Sequence, residues 1–449
     1  MASRLVIDRI ALKTLQRYHH ATLNCFGDHE TLVDAVANRP GFFGPNPVAY
    51  LSLLARRKSI HADDLDEALL NDRTLVRATA FRGSLFLLSS SDYPLYFRAL
   101  HGHLKDNGME RLKSVGVTEA ILSKYGKMLL ESNFSLPQTQ DQIANIIFAG
   151  VKKRPGAILE KLAIRKLCDM GILVRTMTKG WKGNDFSFGL TKNWLTETQL
   201  TTENPEAART ETIRRYLRCY GPATTDDIGW WTGLPLMQIQ RSVSHLRREA
   251  VRFPVEGYKE DLIGLRESVE LMQNLPDSKD DLEFLPPWDP YTLGWVHRKR
   301  LVDKEWHSFV YDAAGNATSV IVEAGKILGL WQFRDTQVNT LEFHVFSSHA
   351  NRRKAVFHRA EEHAIRLAEL TGAGTVNLFE RPLPRSLLER PLGSFLWPLG
   401  KEPVVSDKEN RPSDNLMERR HSNTMRGKYL DNDHMVRPSS DVVDEDSPI

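Results

Sequence analysis

The sequence predicts an α+β protein, mainly α, with three tandem winged-helix units followed by a small antiparallel-sheet domain with a covering helix. Three observations predict it. Helical stretches closed by two short strands recur three times along the chain. After Leu275 the texture changes to short β-branched and aromatic runs separated by turn residues. One long amphipathic stretch, HANRRKAVFHRAEEHAIRLAELTG, then follows, with Gly372 in place as a C-cap.

The first unit spans residues 8–95. RIALKTLQRYHHA, ETLVDAVANR, PVAYLSLLARR and ADDLDEALLND read as helices, and LVRATAF and SLFLLS as strands joined near Arg82-Gly83. The second spans 105–200, where TEAILSKYGKMLLES, PQTQDQIANIIFAGV and AILEKLAIRKLCDM precede ILVRTMT, the turn KGWKGND and FSFGLT. The third, 206–265, places TETIRRYLRCYG, TTDDIGWWTGL and LMQIQRSVSHLRREA before VRFPVEGY and DLIGL. Thr224 with Asp226 and Asp227 behind it supplies an N-cap and an acidic first turn. Ile239, Val243 and Leu246 make the apolar stripe of a candidate recognition helix. Helices closed by a two-stranded ribbon outline a helix-turn-helix with a β wing.

Residues 275–385 form the C-terminal α+β domain, with strands in LEFLPPWDPYTLGW, NATSVIVEAGKILGLWQF, TLEFHVFS and GTVNLF. Residues 401–449 are polar, carry both charge signs and lack periodicity. They read as a disordered tail, because they cannot bury enough apolar surface to offset ordering entropy.

With 60 Lys and Arg against 57 Asp and Glu, the formal charge is +3, so any nucleic-acid affinity has to come from local clusters. The three cysteines, Cys25, Cys168 and Cys219, form no C-x-x-C pair, which argues against a disulfide framework and for a reducing compartment. The N-terminal segment lacks the apolar core of a signal peptide, and no run reaches the roughly 18 apolar residues of a membrane span. A cytoplasmic, nucleoid-associated monomer is expected. His19, His20, Cys25 and His29 match no zinc spacing, and no P-loop or dinucleotide fingerprint occurs, so neither metal nor cofactor is expected.

Four blocks carry a resemblance. TLVRATAFRGSLFLLSSSDYPLYFRAL resembles the "RGTLHLV … DYP" block of the AlkZ/YcaQ family of DNA glycosylases. YLRCYGPATTDDIGWWTGLP is similar to that family's "YGPAT … D … WW(S/T)GL" block, LPPWDPYTLGWVHR to its "DPY" segment, and VIVEAGKILGLWQF to its "VDGRVVGTW" strand pair. The resemblance runs from about Ile10 to Phe379. It implies a tandem winged-helix fold, a DNA-repair context and double-stranded DNA as partner. In the family, two glutamines in "GLQAQDP" precede a "YLSLWAR" helix. Here the stretch is GFFGPNPVAYLSLLARR, which from Gly41 puts Phe43 and Pro45 at the glutamine positions. Anchored on Tyr50, it puts Phe42 and Gly44 there instead. The histidine of "GTLHLV" is Phe86. None of these side chains can hydrogen-bond a water, whereas a hydrolytic glycosylase must orient one and stabilise an oxocarbenium-like sugar.

Two classes of function follow. One is a duplex-DNA reader with a degenerate catalytic motif, in repair or as a transcription regulator. The other is an active glycosylase for alkylated or crosslinked purines whose water-positioning group has moved to Asn46 or Asn38. For DNA contact, Lys179, Trp181 and Lys182 in the second wing offer two ammonium groups and a stacking or wedging indole, or else Trp181 folds back on the core. Arg241 and Arg248 predict a basic stripe on the third unit's last helix. Arg298, Lys299 and Arg300 form a denser basic run, a phosphate contact or a solvated loop. Asp289 reads as the turn-former of an Asp-Pro step. Of the adjacent Trp230 and Trp231, at most one faces outward.

Overall fold

The computed structural model describes residues 9–23, 31–37, 39–57, 60–106, 108–152, 154, 156–177, 181, 186–195, 200–275, 282–335 and 339–390. The expected tail at 401–449 lies outside the described residues. Thirteen strands are present among those described: β1 (Phe42–Phe43), β2 (Leu75–Thr79), β3 (Leu85–Ser89), β4 (Gln138–Thr139), β5 (Leu173–Met177), β6 (Phe186–Leu190), β7 (Ala250–Phe253), β8 (Leu262–Leu265), β9 (Glu283–Leu285), β10 (Val320–Glu323), β11 (Lys326–Arg334), β12 (Thr340–Val345) and β13 (Asn377–Glu380).

Helices closed by an antiparallel strand pair recur three times, as β2–β3, β5–β6 and β7–β8. Local sequence sets several helix starts. Thr31 with Asp34, Thr139 with Gln142, and Thr224 with Asp227 each form a reciprocal capping box, satisfying backbone N–H groups that the first helical turn leaves unpaired.

The first two ribbons are not separate wings, as the sequence reading had them. They join through Arg77 opposite Arg175 into one six-stranded sheet, in the order β1-β3-β2-β5-β6-β4. Joining gives β2 and β5 a neighbour on what would otherwise be unpaired edges, and every residue of β2 and β3 is buried. The third ribbon stays two-stranded.

The C-terminal sheet has the order β13-β12-β11-β10-β9. The expectation of an all-antiparallel sheet is corrected at its edge, where β12 and β13 run parallel, with Thr340 opposite Asn377. The reason is the connection. The helix Arg353–Thr371 lies between them and carries the chain back to the end where β12 began, as a parallel pair requires. That helix ends at Gly372, whose φ of 68° is the left-handed C-cap foreseen for it.

The largest apolar cluster crosses the expected domain boundaries. Phe81, Phe86 and Tyr96 of the first unit pack with Tyr216 and Trp231 of the third and with Trp295 and Trp306 of the C-terminal domain. The second unit keeps a cluster of its own, from Met109 to Leu190. The first unit, the third unit and the C-terminal domain therefore meet around one core, and a cleft opens at their junction.

Candidate functional site

The cleft begins with a strand that the sequence reading left unassigned. β1 pairs antiparallel with β3, setting Phe42 opposite Leu87 and Phe43 opposite Phe86. Gly41 makes this approach possible. Its φ is 72°, and a Cβ there would lie 2.7 Å from the Leu87 carbonyl oxygen. Phe42 is buried, with the guanidinium groups of Arg39 and Arg56 over its ring, 5.2 and 4.9 Å from the centroid. Phe43 is half-buried and lines the cleft together with Phe86.

These two rings form one wall of the cleft. The turn between β2 and β3 contributes Arg82 and Ser84. The helix Thr225–Thr232 contributes Trp230 and Trp231, and the PPWDPYTL segment contributes Trp288 and Leu293. The turn at Ala314-Gly315-Asn316 closes the remaining side. Three sequence blocks far apart in the chain therefore converge on Phe43.

Two of the six described non-glycine residues with positive φ line this cleft: Arg82 (54°) and Trp288 (55°). A left-handed non-glycine residue costs about 1–2 kcal/mol and persists where surrounding structure over-determines it. At Arg82 the conformation carries the guanidinium to 4.8 Å from the Trp230 ring centroid. Arg298 stands 5.2 Å from the same centroid and 4.6 Å from that of Tyr311. Trp230 therefore interacts with two cations, and its Nε1 donates to the Leu293 carbonyl at 2.9 Å. The Trp288 ring lies 5.3 Å from Phe43, and its Nε1 donates to Asn316 Oδ1 at 3.2 Å. Asn316 in turn donates from Nδ2 to Asp312 at 2.9 Å. Trp231 is buried, and its Nε1–H has no hydrogen-bond acceptor among the described residues. The lining contains no Asp, Glu or His.

Several expected site residues lie elsewhere. Asn46 is fully buried, and its Oδ1 accepts from Arg77 Nη2 at 2.6 Å, so it is not the free carboxamide expected to orient a water. Pro45 is half-buried beside it, and Asn38 lies outside the described residues. Arg298 and Arg300 are corrected from phosphate contacts to buried struts, at 7% and 0% exposure. Arg298 donates to the carbonyls of Thr292 and Gly315, and Arg300 pairs with Asp227 at 3.0 Å and donates to the Pro222 carbonyl. Buried guanidinium groups held in this way are not placed to meet a phosphate. Between them Lys299 is exposed, donating to the Gly257 carbonyl with its ammonium 4.6 Å from the Tyr258 ring centroid.

Trp181 is likewise corrected from a groove-facing wedge. It is half-buried with its ring 5.7 Å from Phe333 on β11, burying apolar area against the C-terminal sheet. Lys179 and Lys182 lie outside the described residues. The helix carrying Arg241 ends at His245, because β7 begins at Ala250 and the chain must turn first. Arg248 therefore sits in the turn, not on a shared helical stripe. Arg241 is exposed and pairs with Glu206 at 3.0 Å. Asp289 is the structural residue expected. It is fully buried, takes two 2.8 Å bonds from Arg56, and caps the helix Pro290–Leu293. Both Trp230 and Trp231 are buried, at the edge of the cleft. Sequence reasoning missed Arg82, Trp288 and Asn316 as site residues, although the first two stand in blocks it had singled out.

A model of the DNA glycosylase AlkZ-like family matches residues 43–369, most of the chain. The chain belongs to the AlkZ-like DNA glycosylase family. It is similar to the interstrand DNA cross-link repair glycosylase of Streptomyces sahachiroi, with 23% identity over 309 residues covering 66% of this chain and 80% of that protein. The solved structure of the DNA glycosylase AlkZ from the same organism superposes with a TM-score of 0.68 at 19% identity, covering 83% of this chain and all of that one. The mixed α/β architecture is thus the AlkZ fold. Among the described residues, no helix is long and apolar enough to cross a membrane.

Proposed function

We propose that this AlkZ-like protein binds duplex DNA in a repair context and reads distorted or alkylated sites without excising the base. The observation that carries this reading is the opposition of Phe43 and Phe86 in a cleft with no carboxylate or imidazole in its lining. Hydrolysis of an N-glycosidic bond needs a group that orients water and a negative or acceptor group facing the oxocarbenium-like sugar. Here the lining is mainly aromatic, and the one formal charge in it is the cation Arg82, which would oppose developing positive charge. The one carboxamide in the lining, Asn316, already bonds Trp288 and Asp312. The half-buried ring of Phe43, backed by Trp288, is the aromatic face suited to stacking on a nucleobase, a contact that needs no catalytic group.

The three strand-closed units are read as winged helices presenting basic groups to the duplex. Exposed Arg241, Arg248 and Lys299 are the described candidates for phosphate contacts. Lys179 and Lys182 join them on sequence grounds. The test is fluorescence anisotropy with matched duplexes, undamaged, carrying 7-methylguanine, or crosslinked. The reading expects tighter binding to the lesion duplexes by about tenfold, on the scale of one stacking contact, and loss of that preference in Trp288→Ala. Equal affinity for all three duplexes, or a strong preference for one undamaged sequence, overturns it.

A further inference from the structure

Away from the cleft, three side chains with metal-ligating atoms meet in the third unit. Asp226 stands in the first turn of the helix Thr225–Thr232, Glu260 in the turn between β7 and β8, and His297 just after Trp295. One ligand atom from each lies within 4.8 Å of the other two. Nothing in their spacing along the sequence announces this, because the three come from separate elements.

The arrangement is held by its neighbours. Asp227, adjacent to Asp226, accepts from the backbone N–H groups of Val296 and His297 at 2.8 and 3.2 Å, fixing the main chain that carries the imidazole. The same carboxylate pairs with fully buried Arg300, which locks the helix start against the same segment. The ring of Tyr258 meets the imidazole edge-on, with centroids 6.4 Å apart. Asp226 and Glu260 are exposed and His297 half-buried, so two carboxylates and an imidazole meet at the surface.

We propose that Asp226, Glu260 and His297 form a binding site for a divalent transition-metal ion, with zinc the best fit. Two carboxylate oxygens and one imidazole nitrogen are borderline donors, which suit zinc and its late first-row neighbours, whereas magnesium and calcium prefer oxygen alone. Zinc bonds of about 2.0–2.2 Å set tetrahedral ligands about 3.3 Å apart, a distance the two exposed carboxylate side chains reach by rotating. Water completes the shell. The ion cross-links the β7–β8 turn to the helix start and to the segment after Trp295. The site shares no residue with the aromatic cleft, so it stands apart from the proposed function.

The test is calorimetric titration of the full chain with zinc chloride, and with magnesium chloride for comparison. One zinc ion is expected to bind at micromolar concentration with no comparable magnesium binding. His297→Ala and Glu260→Gln should each weaken zinc at least about tenfold. These side chains lie at or near the surface, so the variants should keep the fold. Cobalt(II) offers a second readout, with a visible absorption band that His297→Ala should remove. Absence of zinc binding, or zinc binding unchanged by His297→Ala, overturns the site.

Discussion

Phe43 lies directly opposite Phe86 across the β1–β3 ladder, so the two rings form one cross-strand pair. They occupy different environments on that pair. Phe86 is 2% exposed and packs edge-on against Phe81 and Trp231, with centroids 5.1 and 5.7 Å away. Phe43 is half-buried and touches chiefly Trp288. Phe86→Ala should therefore cost about 3–5 kcal/mol, the range for truncating a fully buried Phe. Phe43→Ala should cost about half as much or less. Urea unfolding of the two variants checks the order, and equal losses would mean that Phe43 is core and not cleft wall.

The Arg300–Asp227 pair is expected to dominate local stability at the junction of the third unit and the C-terminal domain. Both side chains are fully buried. Arg300→Met should destabilise by about 3–5 kcal/mol, because it leaves the Asp227 carboxylate buried without its partner. The unfolding midpoint reads this out. A loss under about 1 kcal/mol would return Arg300 to the surface run that its sequence suggested.

Stability should fall as the solution is acidified below neutrality, in part through His363. Burial, reinforced by Arg366 and Arg359, holds this imidazole well below its ordinary value, and its ring stacks on Phe284 at 4.9 Å. A histidine whose folded pKa is depressed takes up more protons when unfolded. Its contribution is complete above the unfolded value of about 6.5 and is lost as pH falls below that value. Unfolding curves at pH 7.5 and 5.5 should show a smaller acid loss in His363→Leu than in the parent chain. An identical loss in both would remove His363 from the account.

Phosphate contact by the exposed cations gives a salt signature. Arg248→Ala and Lys299→Ala should each reduce the slope of log affinity against log salt by about 0.9. Arg241 is shared with Glu206, so Glu206→Gln should raise affinity at low salt by freeing it. Slopes unchanged in all three variants would place the duplex on another face.

Much of this organisation could be read from the residues alone. The strand-closed units, the Thr224 cap and the Gly372 helix end are local signals, written in a few adjacent side chains. The Phe43 and Phe86 replacements were visible by motif, but their opposition on a ladder was not, because a two-residue strand has too few positions to show alternation. The Arg298-Lys299-Arg300 run misled for a physical reason. A basic run reads as solvated unless its partners are known, and Asp227 and the Thr292, Gly315 and Pro222 carbonyls are supplied by distant segments. Asn46 misled in the same way, since only the fold brings Arg77 to its carboxamide.

A cleft that reads DNA without cutting the glycosidic bond leaves a bound lesion duplex intact. The most direct measurement is alkaline strand cleavage of a duplex containing 7-methylguanine after prolonged incubation with the unaltered protein, at concentrations where anisotropy shows the duplex bound. No breaks above the protein-free control are expected, because among the described residues no carboxylate or imidazole lines the cleft to activate water or face an oxocarbenium-like sugar. Robust protein-dependent breaks under those conditions would contradict the account, and their loss in Asn316→Ala would identify the carboxamide that had taken over the work.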